Sequence, residues 1–171
     1  MSITNYFKIK EKQKVVVFTD GACINNGQKN ARGGVGVFFP GFEEQNISIP
    51  LLENPPTNNK AELTAIKLAL QHFDSNKHII LYTDSQYAIN CITKWAPGWE
   101  SKNWKRKGKE VANKELIKQI LDLSRARTVE FRHVNSHQSA PTDPELYKIW
   151  YGNMRADKLA TEGIHLPLSK K

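Results

Sequence analysis

The sequence predicts an α/β fold: a five-stranded mixed sheet, three antiparallel strands then two parallel ones, with helices on both faces. Two observations predict it. Residues 15–49 hold three short strand-like runs joined by turn-rich links, the pattern of an antiparallel meander. After residue 55 strand-like runs alternate with segments of helical period, the pattern of parallel strands joined by helices. No internal repeat or second boundary is visible. The 171 residues therefore read as a flexible tail over 1–13, one domain over 14–163 and a flexible tail over 164–171.

Each element has a local cause. Val15, Val16, Val17 and Phe18 make a buried strand over residues 15–22. It delivers Asp20 at its end, and Gly21 behind it lets the backbone approach a ligand closely. Asn25, Asn26 and Gly27 mark a turn. Residues 33–39 read as the second strand, with glycines where a backbone or ligand passes. Residues 44–49 alternate weakly and read as the third. Pro55, Pro56 and Thr57 lead into a helix over 58–73, whose stripe is Leu63, Ile66, Leu70 and Phe73. Residues 78–82 are the fourth strand, ending at Thr83-Asp84-Ser85. Ala88, Ile89, Ile92 and Trp95 form the next helix, broken by Pro97 and Gly98. A basic, aromatic segment runs to Lys109. A helix over 111–123 and a fifth strand over 128–134 follow. A polar loop with Pro141 and Pro144 leads to a last helix over 150–162, stopped by Gly163.

Composition narrows the function. The formal net charge of +8 points to a polyanionic partner, nucleic acid first. Cys23 and Cys91 lie far apart without a CxxC motif, which argues against a disulfide scaffold and a structural zinc. His133 and His137 are four apart, but one reads as strand and the other as loop, so zinc is discounted there too. No run approaches membrane-span length and none reads as a signal peptide, so an intracellular site without membrane partners is expected. In the leading tail, Ile3, Tyr6 and Phe7 resemble the core of a sliding-clamp-binding peptide that lacks its usual Gln. The alternative is a tail packed loosely on the domain.

Four carboxylates stand at telling places. Asp20 and Asp84 each end an apolar strand, Glu62 lies in the first turns of its helix, and Asp157 shares a helix face with Asn153. Singly, each has a plain explanation: Asp84 as a helix cap, Glu62 as a partner of the helix dipole, Asp157 as a surface charge. A carboxylate ending an apolar strand, as Asp20 does, is costly without a partner. Jointly, adjacent strand ends with a helix glutamate above them make an all-oxygen site suited to Mg²⁺ or Mn²⁺. Two such ions about 3.5–4 Å apart can activate a water and stabilise the leaving oxygen of a phosphodiester.

Five segments then carry a resemblance. Phe18-Thr-Asp-Gly-Ala-Cys, Thr57-Asn-Asn-Lys-Ala-Glu, Tyr82-Thr-Asp-Ser-Gln-Tyr, His133-Val-Asn-Ser-His and Gly152-Asn-Met-Arg-Ala-Asp resemble, in order, the motifs of ribonuclease H, type 1. The likeness is to the eukaryotic-like catalytic domain, without the N-terminal hybrid-binding domain of many relatives. It implies the ribonuclease H-like fold and cleavage of the RNA strand of RNA–DNA hybrids, leaving 5′-phosphate and 3′-hydroxyl ends. It implies that Asp20, Glu62, Asp84 and Asp157 hold two Mg²⁺ ions, with Mn²⁺ as a substitute. It implies that His137 assists proton transfer or product release. By the same match Asn26, Asn58 and Asn59 touch the minor groove of the hybrid, where 2′-hydroxyls mark RNA. Thr57 and Asn113 would grip a phosphate of the DNA strand. Residues 95–113 resemble the family's basic protrusion, with Trp95 and Trp99 on the DNA sugars and Trp104 in the core. A monomer is expected.

The chain departs from the pattern in three places. Ser136 stands where Gly precedes the histidine, Met154-Arg155 replaces an acidic pair, and the loop from His137 to Asn153 is long. The rival readings are a DNA-cutting resolvase- or transposase-like nuclease of the same fold, and a non-catalytic hybrid-binding protein. The asparagines and the protrusion count against the first, the four carboxylates against the second.

Overall fold

The structure is a computed structural model, and it describes residues 11–168. The clamp-like residues Ile3, Tyr6 and Phe7 lie outside that range. Five strands form one sheet, in the order Ile47–Pro50 (β3), Arg32–Phe38 (β2), Gln13–Ile24 (β1), Lys77–Thr83 (β4) and Thr128–His133 (β7). β1, β2 and β3 pair antiparallel. β4 joins β1 parallel, and β7 joins β4 parallel. The predicted mixed sheet is therefore the observed one. The third strand starts later than expected, because Glu43–Gln45 form a short 3₁₀ turn before it.

Strand alternation divides the core between the two faces. Val17, Val35 and Val37 point to one side. There they meet α1 (Asn58–His72) and α4 (Lys114–Arg125) through Leu63, Ile66, Ile117 and Ile120. Phe18, Phe38, Ile80 and Tyr82 point to the other, under α5 (Pro144–Ile164) and its Ala156. Helices thus cover both faces. Gly36 lets α5 lie directly on the sheet, since a Cβ there would run into the backbone of Ala156 and Ala160.

The helices differ from the sequence reading in four main places. α5 begins at Pro144, six residues early. Asp143 caps it, accepting from the amides of Glu145 (3.1 Å) and Leu146 (2.9 Å), and Pro144 sits in the first turn, where no N–H is needed. Gly163 does not stop α5, which ends at Ile164; the glycine instead lets the helix touch the backbone of Ile49. Pro97 and Gly98 do not break the second helix. α2 (Gln86–Asn90) runs through a π-helical turn at Cys91–Trp95 into α3 (Ala96–Ser101). The wide turn interrupts the ordinary ladder just ahead of Pro97, so the missing N–H costs little. The fourth helix starts three residues later than expected, because Asn113 adopts a left-handed conformation (φ 60°). Beyond α3, β5 (Lys105–Arg106) and β6 (Lys109–Glu110) form a small ribbon. Among the described residues no helix is long and apolar enough to cross a membrane.

Candidate active site

The site forms where the pairing of β1 with β4 ends. The last parallel pair is Thr19 with Thr83, so the next residues, Asp20 and Asp84, leave adjacent strands side by side. Asp20 is not at the end of its strand as the sequence suggested. β1 continues to Ile24 along β2, so Asp20 is held in the middle of the sheet and is 2% exposed. Its Oδ1 accepts from the Gly21 amide at 2.9 Å. Gly21 serves a helix rather than a ligand: a Cβ there would collide with the backbone of Ala61 and Glu62. That close approach carries Glu62 over Asp20. Thr57 caps α1, accepting from Lys60 N at 3.1 Å, so Glu62 has no capping duty. Ser85 likewise caps α2, accepting from Ala88 N at 3.1 Å, which leaves the Asp84 carboxylate free for the cleft. The Asp84 carbonyl accepts from His133 Nε2 at 3.2 Å.

Asp20, Glu62 and Asp84 each offer an oxygen within 4.8 Å of the others. Asp157 stands outside that cluster. It approaches from α5 and lines a cleft with Asp84, His137 and Asn153. Crowding and burial move the carboxyls strongly. Burial, then the charge of Asp84, pushes Asp20 up to about 8. Glu62 is raised well above the usual carboxylate range by burial and by the charges of Asp20 and Asp84. Asp84 is raised by burial, partly countered by hydrogen bonding with Asp20 and Glu62. Glu62 Oε2 is buried without a hydrogen-bond partner. A buried, unpartnered carboxylate oxygen facing two more carboxylates fits a hard divalent cation, which relieves the repulsion and fills the empty valence. These residues would hold a divalent cation, with oxygen donors throughout.

Other predicted residues gather around this centre. Asn26 Oδ1 accepts from the Asn58 amide at 3.3 Å, which joins the β1–β2 turn to the start of α1, with Asn58 and Asn59 exposed. Thr57 is the helix cap already described. Asn113 Nδ2 donates to the Tyr87 hydroxyl at 3.0 Å. Tyr87, which sequence reasoning missed, has its hydroxyl pushed up to about 12 by burial, against the hydrogen bond from Asn113. Its contact with Asn113 spans 26 residues of sequence, which no local signal carries. Trp95, 42% exposed, stands 5.9 Å from Trp99 (ring centroids), and Trp99 stands 6.1 Å from Trp104. Trp104 is buried (7% exposed), as expected. Lys102, Lys105, Arg106 and Lys107 line one groove with Trp95 and Trp99.

The RNase H family profile matches residues 12–165. The chain belongs to the RNase H family. It is 39% identical to a ribonuclease H of Schizosaccharomyces pombe over 86% of this chain and 52% of that protein. It is 38% identical to a ribonuclease H of Clostridium botulinum over 89% of this chain and 96% of that protein. The chain thus spans about half the length of the first relative. A foamy viral protease–reverse transcriptase solved in complex with RNA/DNA hybrid matches at TM-score 0.70 and 26% identity, over 91% of this chain and 20% of the other.

Proposed function

We propose that this RNase H family chain is an endonuclease that hydrolyses the RNA strand of RNA–DNA hybrids, leaving 5′-phosphate and 3′-hydroxyl ends. The observation that carries the reading is the meeting of Asp20, Glu62 and Asp84 within 4.8 Å around an unpartnered buried oxygen. A binding protein gains nothing from such a cluster, which destabilises the fold that contains it. Family membership and the hybrid-bound viral relative point to the same substrate.

Divalent cations held by Asp20, Glu62, Asp84 and Asp157 would supply an activated water and charge neutralisation at the leaving oxygen. The remaining roles belong to the chain. Asn26, Asn58 and Asn59 present amides to the minor groove and distinguish RNA by its 2′-hydroxyls. Thr57 and Asn113, with Tyr87 behind Asn113, bind a phosphate of the DNA strand. Trp95 and Trp99 pack on its sugars, and the surrounding lysines add sequence-independent attraction. His137, exposed on its loop, moves a proton between the cleft and solvent. Mg²⁺ is the metal favoured by the donor set, with Mn²⁺ able to replace it. The chain is proposed to act as an intracellular monomer, with a sliding clamp as a partner of Ile3, Tyr6 and Phe7.

The test is cleavage of one labelled strand in RNA–DNA, RNA–RNA and DNA–DNA duplexes, with Mg²⁺ and with EDTA. Metal-dependent cutting of RNA in the hybrid alone is expected. Asp84→Asn should abolish cutting and leave hybrid binding intact. Cutting of DNA would move the chain to the resolvase or transposase side. Tight binding without cutting by the unaltered chain would make it a binder.

A further inference from the structure

We propose that Trp150 is a positioning residue that fixes the loop carrying His137. The proposal rests on the hydrolytic reading above and assigns a role to the long stretch between His137 and Asn153.

That loop has little else to hold it. Val134 is its last buried residue, and Val134 N donates to the Thr83 carbonyl at 3.0 Å. Residues 135–140 are all exposed. Among the described residues, positions 135–142 make a single hydrogen bond: the Trp150 indole Nε1 donates to the Gln138 carbonyl at 2.8 Å. Gln138 directly follows His137, whose backbone is left-handed (φ 57°). A non-glycine residue holds that conformation only when its surroundings fix it. The indole grips the backbone one residue past the strained position, where relaxation would otherwise begin.

Trp150 acts from a firm base. It precedes Asn153 by three residues and Asp157 by seven on α5, so all three share a face. They line one cleft with Asp84 and His137. The Trp150 ring lies 5.4 Å from that of Tyr147, which narrows its rotamers. The helix that presents Asp157 therefore also holds the His137 loop, and the two groups are placed by one rigid element. Indole suits the task because its N–H is a donor only, and the carbonyl it meets is an acceptor only.

The experiment compares Trp150→Phe, His137→Ala and the double variant with the unaltered chain. Phe keeps an aromatic ring and removes the donor. Two readouts are needed. The first is the imidazole NMR spectrum of the five histidines, with His137 assigned by its absence in His137→Ala. In Trp150→Phe the His137 signals should shift and broaden while those of His72, His78 and His165, away from the cleft, stay. The second is steady-state cleavage of the hybrid. Trp150→Phe should lower kcat roughly three- to tenfold, the span of one hydrogen bond, with KM within about twofold. That loss should vanish in the His137→Ala background, because a device that works through the imidazole has nothing left to place. Unmoved His137 signals, or an equal loss of kcat in both backgrounds, would overturn the proposal. An unaltered chain that fails to cut hybrid would instead sink the hydrolytic reading, and the His137 signals would then decide the role of Trp150 alone.

Discussion

At the residue scale, Glu62 shows how the site sets function against stability. Its Oε2 is buried without a partner, and two other carboxylates raise its pKa. Glu62→Gln removes one charge at nearly constant shape. In EDTA this variant should melt higher than the unaltered chain, by about 2–4 °C for each kcal/mol of relieved repulsion. In Mg²⁺ it should lose its advantage and its cleavage activity. Thermal melts in both buffers check this, and a lower melting point in EDTA would contradict it. The carboxylates were legible in the sequence because of their places: Asp20 and Asp84 follow apolar strand runs, Glu62 lies early in its helix, and Asp157 comes four residues after an Asn. Their plain explanations fell away only with the structure. Thr57 and Ser85 are the caps, so neither Glu62 nor Asp84 is needed there. Tyr87 and Trp150 were illegible, since each acts through a partner that only the folded chain brings near.

At the element scale, α5 has two jobs: packing against the sheet and carrying Asp157. Gly36→Ala should push the helix off β2, because the new methyl meets backbone rather than a side chain that could turn away. A loss of about 3 kcal/mol is expected, at the upper end for overpacking. Mg²⁺ affinity should weaken with it as Asp157 withdraws; denaturant melts and metal titration measure the two effects. The early start of α5 was readable in principle. Asp143-Pro144-Glu145 is a cap, a first-turn proline and an acidic first turn. Composition alone reads the two prolines as loop instead. The continuous run from α2 to α3 was not readable, because a π-helical turn leaves no compositional mark. The segment after it makes a different prediction. Lys102→Ala with Lys107→Ala should weaken hybrid binding alike for all sequences. It should also flatten the salt dependence by about two counterions, with kcat unchanged. An unaltered salt slope would remove these lysines from the interface.

At the scale of the whole molecule, the metal becomes part of the stability. In the metal-free fold Asp20 keeps its proton until about pH 8, against 3.8 in the absence of burial and neighbouring charge. Between those values the folded chain holds a proton that the unfolded chain has released. Stability therefore falls as pH rises across that window, the reverse of a carboxylate with a lowered pKa. Glu62 and Asp84, raised in the same direction, add to the fall. A divalent cation favours the ionised carboxylates and so works against it. The gain in melting temperature on adding saturating Mg²⁺ should thus be small at pH 5 and grow toward pH 8. Asp20→Asn should flatten the metal-free pH dependence, and comparison with it cancels the titration of every distant group. An equal Mg²⁺ gain at both pH values would mean that the carboxylates do not share one cation-dependent site. A growing gain would mean that the fold tolerates its own repulsion because the cation that completes the site also completes the core.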